Sequence, residues 1–521
     1  MDPLSRALSH PEAYPHPTGP IALVETHISR IFLAGAWAYK LKKPVNLGFL
    51  DFSTLEKRKH YCHEELRLNR RLCPEIYHSV VPVIRSGGEY FLATEEKEGL
   101  IVDYAVKMVR FDRSMELDRM LSKKLLSKEL VENISGIIAF FHKSIPPAPE
   151  KSPFGHPDII IEPVLANFTH TEEITSDEKE IIRLERLKRW TLEEHKRLYP
   201  LFLLRKSGGF VRQCHGDMHT GNMVLWKERI CIFDCIEFND VLSIIDVMSD
   251  LAFLFMDLKH GEEPGLAWRL LNSYLFETGD YAALPLLGFY TVYRAMVRAK
   301  VTAIRYAQTT GENPDKKILE EHRSYVRLAE RCICRSKPML VITCGVSGSG
   351  KTTVSAEIAS RLECLHIRSD IERKRIAGMA PLERSKRESK SALYSQTSSD
   401  TTYRRLAEIA AGALNEGIPV IVDATFLERD KRTIFRDIAA VMQCPYRIVR
   451  CHAPEIKLAE RVKKRLEENR DASEADGAVL RRQLEKDTVF SDEEKSVTTE
   501  IDTGTTVDYA ALVRKLKTGL S

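Results

Sequence analysis

The chain has no uninterrupted apolar run that approaches the ~18 residues of a membrane span, so no bilayer-crossing helix is expected. Its first residues, Met1-Asp2-Pro3-Leu4-Ser5-Arg6, lack the basic segment and apolar stretch of a secretory leader, and a cytoplasmic location is the expectation. An excess of charge of either sign is also lacking. A net charge of +4 over 521 residues gives no footprint for general nucleic-acid or membrane-surface binding. The eleven cysteines are an odd set with no Cys-x-x-Cys pair, the usage of reduced thiols rather than of a disulfide framework. Cys231 with Cys235, and Cys332 with Cys334, have neither zinc-ligand spacing nor a companion pair. No internal repeat is present.

What is there is globular: 43% of residues are hydrophobic and 29% charged, in a chain too long for one core. Two domains are expected, residues 1–336 and 337–521, divided at Arg335-Ser336-Lys337-Pro338. Up to about residue 82 short strand-like runs mix with one helix. From there to 336 the chain reads as largely helical around a polar loop. Beyond 337, strands expected at Met339–Thr343, Leu365–Arg368, Val420–Val422 and Tyr446–Cys451 alternate with helices. That alternation predicts an α/β domain with a parallel sheet and its ligands at the strand carboxyl ends.

The most specific motif follows the first of these strands. In Gly345-Val346-Ser347-Gly348-Ser349-Gly350-Lys351-Thr352-Thr353, small residues let backbone N–H groups converge on a phosphate at a helix N-terminus. Lys351 can reach the β- and γ-phosphates and the Thr352 hydroxyl can ligate Mg²⁺, so an ATP or GTP site is expected. Asp370, after the second strand, is placed to take a proton from an acceptor hydroxyl; its alternative role is a helix cap. Arg373 and Lys374 come within reach of an anionic substrate. Asp423 ends the third strand, as an Asp supporting Mg²⁺ through water does, or else is a buried structural carboxylate. Arg461 and Arg465 share one helical face, with Arg470 beyond, and either close over phosphates as a lid or are surface charge.

Together, GVSGSGKTT, IRSDIERKRIAG, IVDATF and the arginine-bearing segment before DASEAD resemble the predicted P-loop kinases related to zeta toxins and the kinase domain of polynucleotide kinase. The resemblance spans nearly all of 337–521. It implies Lys351 and Thr352 at phosphate and Mg²⁺, Asp370 as base, and Arg461 or Arg465 as lid arginines. It leaves the acceptor open among sugars, nucleic-acid ends and cell-wall precursors.

A second constellation is His215-Gly216-Asp217-Met218-His219-Thr220-Gly221-Asn222, followed by Ile230-Cys231-Ile232-Phe233-Asp234. An Asp and an Asn five positions apart, then an Asp ending the next apolar strand, suit Asp217 to deprotonate a hydroxyl and Asn222 and Asp234 to hold Mg²⁺. His215 would anchor the loop, and His219 would contact substrate or face solvent. The lysine for the α- and β-phosphates is taken as Lys40, with Lys42 as substitute on the same strand face. Its orienting carboxylate is taken as Glu65, with Glu64 nearly as suitable.

These residues resemble the aminoglycoside phosphotransferase and choline kinase group, over roughly 20–330. The resemblance implies an α+β protein-kinase-like domain, with Asp246 and Asp250 capping or bracing the loop. One departure is that no glycine-rich loop precedes Lys40; Gly35 alone marks the expected hairpin. The pairing of domains resembles bacterial fusions of an aminoglycoside-phosphotransferase-like domain and a predicted kinase. The expected partners are ATP, Mg²⁺ and an unidentified small-molecule acceptor, with a ligand-sensing N-terminal domain or a nucleic-acid-end kinase as alternatives.

Overall fold

Alternation of apolar residues with turn signals builds the first layer of the protein. The computed structural model describes residues 2–48, 50–93, 99–175, 177–308, 315–334, 338–385, 393–468, 471–485 and 489–518. Arg470 and boundary residues 335–337 therefore lie outside the described residues. The chain divides into two compact units. One comprises 1–126, 140–257 and 293–326; the other comprises 127–139, 258–292 and 327–521.

In the first unit, β1 (Ala22–Glu25), β2 (Ser29–Ala34), β3 (Trp37–Lys42), β4 (Tyr77–Ser86), β5 (Glu89–Leu92) and β6 (Leu100–Val109) form an antiparallel sheet in the order β1-β2-β3-β6-β4-β5. The sheet thus continues well past residue 82, where a largely helical region was expected. β6 is a central strand, with Ala105 in one core cluster and Tyr104 and Val106 in another. Burial on both faces removes the polar alternation by which a strand is recognised.

Helix α1 (Leu55–Asn69) starts at Thr54, whose side chain caps the Lys57 N–H. Its buried positions include Arg58, Cys62, Glu65 and Asn69, one face at helical spacing. That face is polar because it meets partners rather than oil: Arg58 pairs with Asp103 at 2.8 Å, and Asn69 accepts the Cys235 N–H at 2.9 Å. Below the sheet, two short antiparallel ribbons frame a loop. β7 (Val211–Gln213) pairs with β10 (Ile244–Asp246), and β8 (Met223–Trp226) with β9 (Arg229–Ile232). Helix α2 (Val247–His260) begins directly after β10.

The second unit is built on a five-stranded parallel sheet of β11 (Leu340–Cys344), β12 (Leu365–Arg368), β13 (Val420–Asp423), β14 (Tyr446–His452) and β15 (Thr498–Asp502), ordered β12-β13-β11-β14-β15. β11 is buried along its whole length, as a central strand flanked by helices must be. Edge strand β12 is closed by helix α3 (Pro264–Thr278). The Asn272 amide donates to Cys364 O at 3.1 Å and accepts from His366 N at 2.9 Å, supplying the bonds a neighbouring strand would make. β15 lies at the opposite edge and was not among the expected strands. Helices α4 (Lys351–Leu362), α5 (Ser369–Ile376), α6 (Gln396–Asn415), α7 (Glu455–Glu468) and α8 (Gly477–Leu484) complete the parts that bear on the site.

Candidate active sites

In the first unit, strand period and helix spacing deliver five charges to one place. Lys40 and Lys42, two apart on β3, both point at Glu65 of α1: Lys40 Nζ lies 2.8 Å from Oε1 and Lys42 Nζ 2.7 Å from Oε2. Lys40 also reaches Asp234 Oδ1 at 2.5 Å, and Lys42 pairs with Glu237. Burial works against the charge on Lys40, but Asp234 and Glu65 outweigh it and hold its pKa well above the ordinary lysine range. Burial likewise opposes the charge on Glu65, and the two lysines outweigh it, lowering its pKa to about 2. Glu64 instead faces outward and pairs with Arg67 at 2.7 Å.

Asp234 sits just after β9 in the left-handed region, with φ of +64°, a conformation Asp tolerates better than most residues. Its N–H donates to the Tyr77 hydroxyl at 3.2 Å. Asn222 donates its amide N–H to Asp217 O at 2.9 Å and Asp217 Oδ2 at 3.0 Å, which turns its carbonyl oxygen the other way. Lys40, Asn222 and Asp234 line one cleft of about 750 Å³, with Ile31, Leu33, Ala38 and Met108 among its apolar walls. Gly35 belongs to the β2–β3 turn, whereas the connection from β1 to β2 carries Thr26, His27 and Ile28. Thr26 Oγ1 tightens that connection by accepting the Ser29 N–H at 3.0 Å.

The loop carrying Asp217 is braced from below. Asp250 of α2 accepts the His215 N–H at 3.0 Å and the Gly216 N–H at 2.9 Å, and His142 Nε2 lies 3.2 Å from it. Asp246 pairs with Arg205 through both oxygens, at 2.5 and 2.8 Å. His215 Nε2 bonds to Phe233 O at 2.8 Å, tying this loop to the one bearing Asp234. Asp257 accepts from both the N–H and the hydroxyl of Thr220. Enclosure works against the charge on Asp217, but His219 at 3.4 Å, then Arg298 and His215, outweigh it and hold its pKa well below the ordinary carboxylate range. Asn69, Tyr77, Asp257 and Arg298 were not foreseen; among these four a local signal exists for Asn69, one turn after Glu65 on the same helical face.

The second unit turns from strand to helix through the glycine-rich loop. Gly345 has φ of +145°, and a Cβ there would lie 2.3 Å from Cys451 O; Gly350, with φ of +80°, caps α4. Ser347, Gly348, Gly350, Lys351, Thr352 and Thr353 line a cavity of about 410 Å³. Asp370, Asp423, Arg461 and Arg465 line the same cavity, together with Arg373, Asp471 and Gln483. Ser349 is fully buried beneath the loop. The Ser347 N–H points into the cavity and donates to Gln483 Oε1 of α8 at 2.7 Å, and Lys351 Nζ donates to Val346 O at 2.8 Å.

Asp423 ends β13 with His366 at 3.4 Å and Arg368 Nε at 3.9 Å. Burial opposes its charge, but His366, Arg368 and Lys351 outweigh it and lower its pKa to about 2. Asp370 lies in the first turn of α5, whose N-cap is Arg368, so capping is not its position. Arg461 Nη1 donates to Gly348 O at 3.2 Å and Thr503 Oγ1 at 2.9 Å, clasping the loop to the turn after β15. Arg465 Nη2 donates to Ala475 O at 3.0 Å, while its buried Nε has no hydrogen-bond partner. Lys374 does not face the cavity as expected. It is buried, donating to Glu383 O at 2.7 Å and paired with Glu474 at 3.1 Å, because one helical step from Arg373 turns it inward.

Residues 340–488 match the family model of the AAA domain. The uncharacterized protein Rv2004c of Mycobacterium tuberculosis is 27% identical over 469 residues, covering 89% of this chain and 90% of its own. A gluconokinase from Sinorhizobium meliloti aligns at 24% identity over 36% of this chain and 93% of its own, with a TM-score of 0.25. A choline/ethanolamine kinase family protein from Mesorhizobium loti aligns at 13% identity over 63% of this chain and 91% of its own, with a TM-score of 0.36. The AAA-domain model thus matches the stretch of the second unit that holds the glycine-rich loop and the strands β11 to β14.

Proposed function

We propose that this protein is a cytoplasmic, ATP- and Mg²⁺-dependent phosphotransferase with two sites, each moving the γ-phosphate to a hydroxyl of a small-molecule acceptor. The observation that carries the reading is a parallel one. Each cavity is lined by a lysine suited to phosphate and by hard oxygen donors, and a further carboxylate suited to handling a hydroxyl is at hand: Asp370 lines the second cavity, and Asp217 accepts from Asn222 of the first at 3.0 Å.

In the first unit Lys40, oriented by Glu65, receives the α- and β-phosphates, and Asp217 takes the proton of the acceptor hydroxyl as its oxygen attacks the γ-phosphorus. The amide oxygen of Asn222 and the carboxylate of Asp234 are hard donors that fit Mg²⁺. In the second unit the loop N–H groups and Lys351 hold the phosphates and Asp370 takes the acceptor proton. Arg461 fixes the loop and Arg465 closes over the phosphates. The Thr352 hydroxyl, with Asp423 acting through water, fits the same ion. When bound, Mg²⁺ neutralises charge on the β- and γ-phosphate oxygens.

The test is an acceptor screen with labelled ATP on the full-length protein and on Asp217→Asn, Lys351→Ala and the double variant. Each single change should remove one of two activities by about 10²-fold or more, and the double change should remove both. Transfer at an undiminished rate by the double variant would sink the proposal. The Thr26-His27-Ile28 connection, without glycine, favours a second reading in which the first unit binds ATP as a sensor. In that case Lys351→Ala alone would abolish all transfer while the first unit still bound ATP·Mg²⁺.

A further inference from the structure

Two arginines, Arg294 and Arg298, stand one turn apart in the helix Leu284–Gln308, and the first unit uses them differently. Arg294 is fully engaged with neutral oxygens: its Nη1 donates to Gly216 O at 3.0 Å, its Nε to Ser249 O at 3.1 Å and its Nη2 to the Ser249 hydroxyl at 3.0 Å. It thereby holds the loop one residue before Asp217. Arg298 is half-buried and makes one long hydrogen bond, from Nε to the Tyr325 hydroxyl at 3.4 Å, with its guanidinium 5.7 Å from that ring's centroid. Among the described residues its two Nη groups have no hydrogen-bond acceptor, and no carboxylate stands within ion-pair distance. Burial opposes the charge on Arg298, and Tyr325, Asp257 and then Asp217 sustain it from further off. Asp257 is itself committed to Thr220, accepting its N–H at 2.8 Å and its hydroxyl at 2.5 Å. Guanidinium N–H groups that have lost water and gained no acceptor are costly, and an incoming anion offsets that cost.

We infer that the acceptor of the first site is a small hydroxylated anion, whose carboxylate or phosphate group is received by Arg298 while its hydroxyl meets Asp217. The inference rests on the phosphotransfer reading of that site, with Asp217 as base. The contacts of the Asp217 carboxylate, from Asn222 at 3.0 Å and His219 at 3.4 Å, both fall on Oδ2, which leaves Oδ1 for a hydroxyl; 34% of the side chain is accessible, so a hydroxyl can reach it. Four helical residues span about 6 Å, which sets Arg298 roughly that far along the helix from the arginine that holds Gly216 O. A compact molecule spans such a distance. Lys40, Asn222 and Asp234 line the nucleotide cleft and Arg298 does not, so its charge is available to the acceptor rather than to ATP. A cationic acceptor would meet like charge there. In the reaction the acceptor oxygen bonds to the γ-phosphorus and its proton passes to Asp217. The bond from the γ-phosphorus to the bridging oxygen breaks, and its electron pair leaves with ADP.

The test uses the full-length protein with both nucleotide sites saturated by AMP-PNP·Mg²⁺, titrated calorimetrically with malonate, inorganic phosphate and ethanolamine. Arg298→Gln should weaken the binding of an anion about 10- to 100-fold without changing AMP-PNP affinity. Arg298→Lys keeps a cation and a long stem, and should recover part of the loss even where the glutamine variant is poorly folded. The anion that suffers the larger loss tells carboxylate from phosphate. Anion isotherms that the glutamine variant leaves identical overturn the inference. So does ethanolamine binding the unsubstituted protein more tightly than either anion.

Turnover is then read in Lys351→Ala protein, where transfer reports the first site, with glycerate, glycerol 3-phosphate, glycerol and ethanolamine as acceptors. An anionic member should be preferred, and Arg298→Gln should raise its KM about 10-fold or more while leaving the KM for ATP unchanged. A fall in kcat shared equally by anionic and neutral acceptors, with KM unmoved, would mean that Arg298 only supports the charge of Asp217, and overturns the inference. Failure of the underlying phosphotransfer reading looks different: anion binding that still depends on Arg298, with no transfer that depends on Asp217.

Discussion

The two sites handle charge in opposite ways. In the first unit the lysines are already balanced by the protein: Lys40 by Glu65 and Asp234, and Lys42 by Glu65 and Glu237. In the second unit Lys351 is satisfied by a single carbonyl, while Arg373 and Arg465 each keep a buried N–H with no partner. The first site is held together by its own ion pairs, whereas in the second the loop lysine and these guanidinium groups have no carboxylate partner among the described residues. A lysine in each is expected to touch phosphate, yet the two lysines should matter to folding very unequally.

That inequality is the largest expected effect. Lys42→Met strands Glu237 and one oxygen of Glu65 in the interior, which costs about 3–5 kcal/mol for a broken buried pair. Lys351→Met removes one hydrogen bond to Val346 O, worth about 1 kcal/mol. Chemical denaturation of the full-length variants, read by probes in each unit, measures both. Equal losses would show that the first network is no more than surface-like pairing.

A smaller effect concerns pH. His219, Arg298 and His215 hold the Asp217 pKa well below the ordinary carboxylate range, against the opposing influence of enclosure. A depressed pKa keeps the base ionised as pH falls, so transfer at the first site should show no carboxylate limb from about pH 5 upward. The kcat profile of the Lys351→Ala protein measures this. His219→Gln removes the largest of the lowering influences and should move the acidic limb upward, toward the usual carboxylate range. A profile that the substitution leaves unmoved would assign the low pKa to Arg298 and the loop instead.

How much of this was legible in the sequence depended on whether the signal was local. The phosphate loop, Asp370 after its strand and the Asp217–Asn222–Asp234 spacing are short-range patterns, and the structure gathers each set at one cavity or one loop pair. Lys40 and Lys42 were set out as alternatives because strand period puts both on one face; the fold uses both, one per oxygen of Glu65. What was not legible was contributed from far along the chain. Asn272 closes the edge strand β12 from a helix some 90 residues upstream of it, as the separation of 92 between Asn272 and Cys364 records. No periodicity announces such a partner. Edge strand β15 was missed for a related reason, since Thr498-Thr499-Glu500-Ile501-Asp502 is mostly polar and is fixed as strand by pairing with β14.

The smallest effect sharpens the comparison from the side of the second site. Gln483 Oε1 accepts the Ser347 N–H at 2.7 Å, so a side-chain oxygen of α8 holds a loop donor that a phosphate oxygen would otherwise take. Nucleotide must then displace a neutral amide, exchanging one hydrogen bond for a charge-assisted one. Gln483→Ala removes the competitor and should tighten ATP binding by about 2- to 5-fold, in line with the ~0.5–1 kcal/mol of a neutral hydrogen bond. The first site should be unaffected, because its lysines are opposed by carboxylates of its own unit. Calorimetric titration of AMP-PNP·Mg²⁺ into Asp217→Asn protein with and without Gln483→Ala resolves the difference. Weaker binding in the variant would mean that the amide moves onto the nucleotide when it enters, making Gln483 a contact of the bound state.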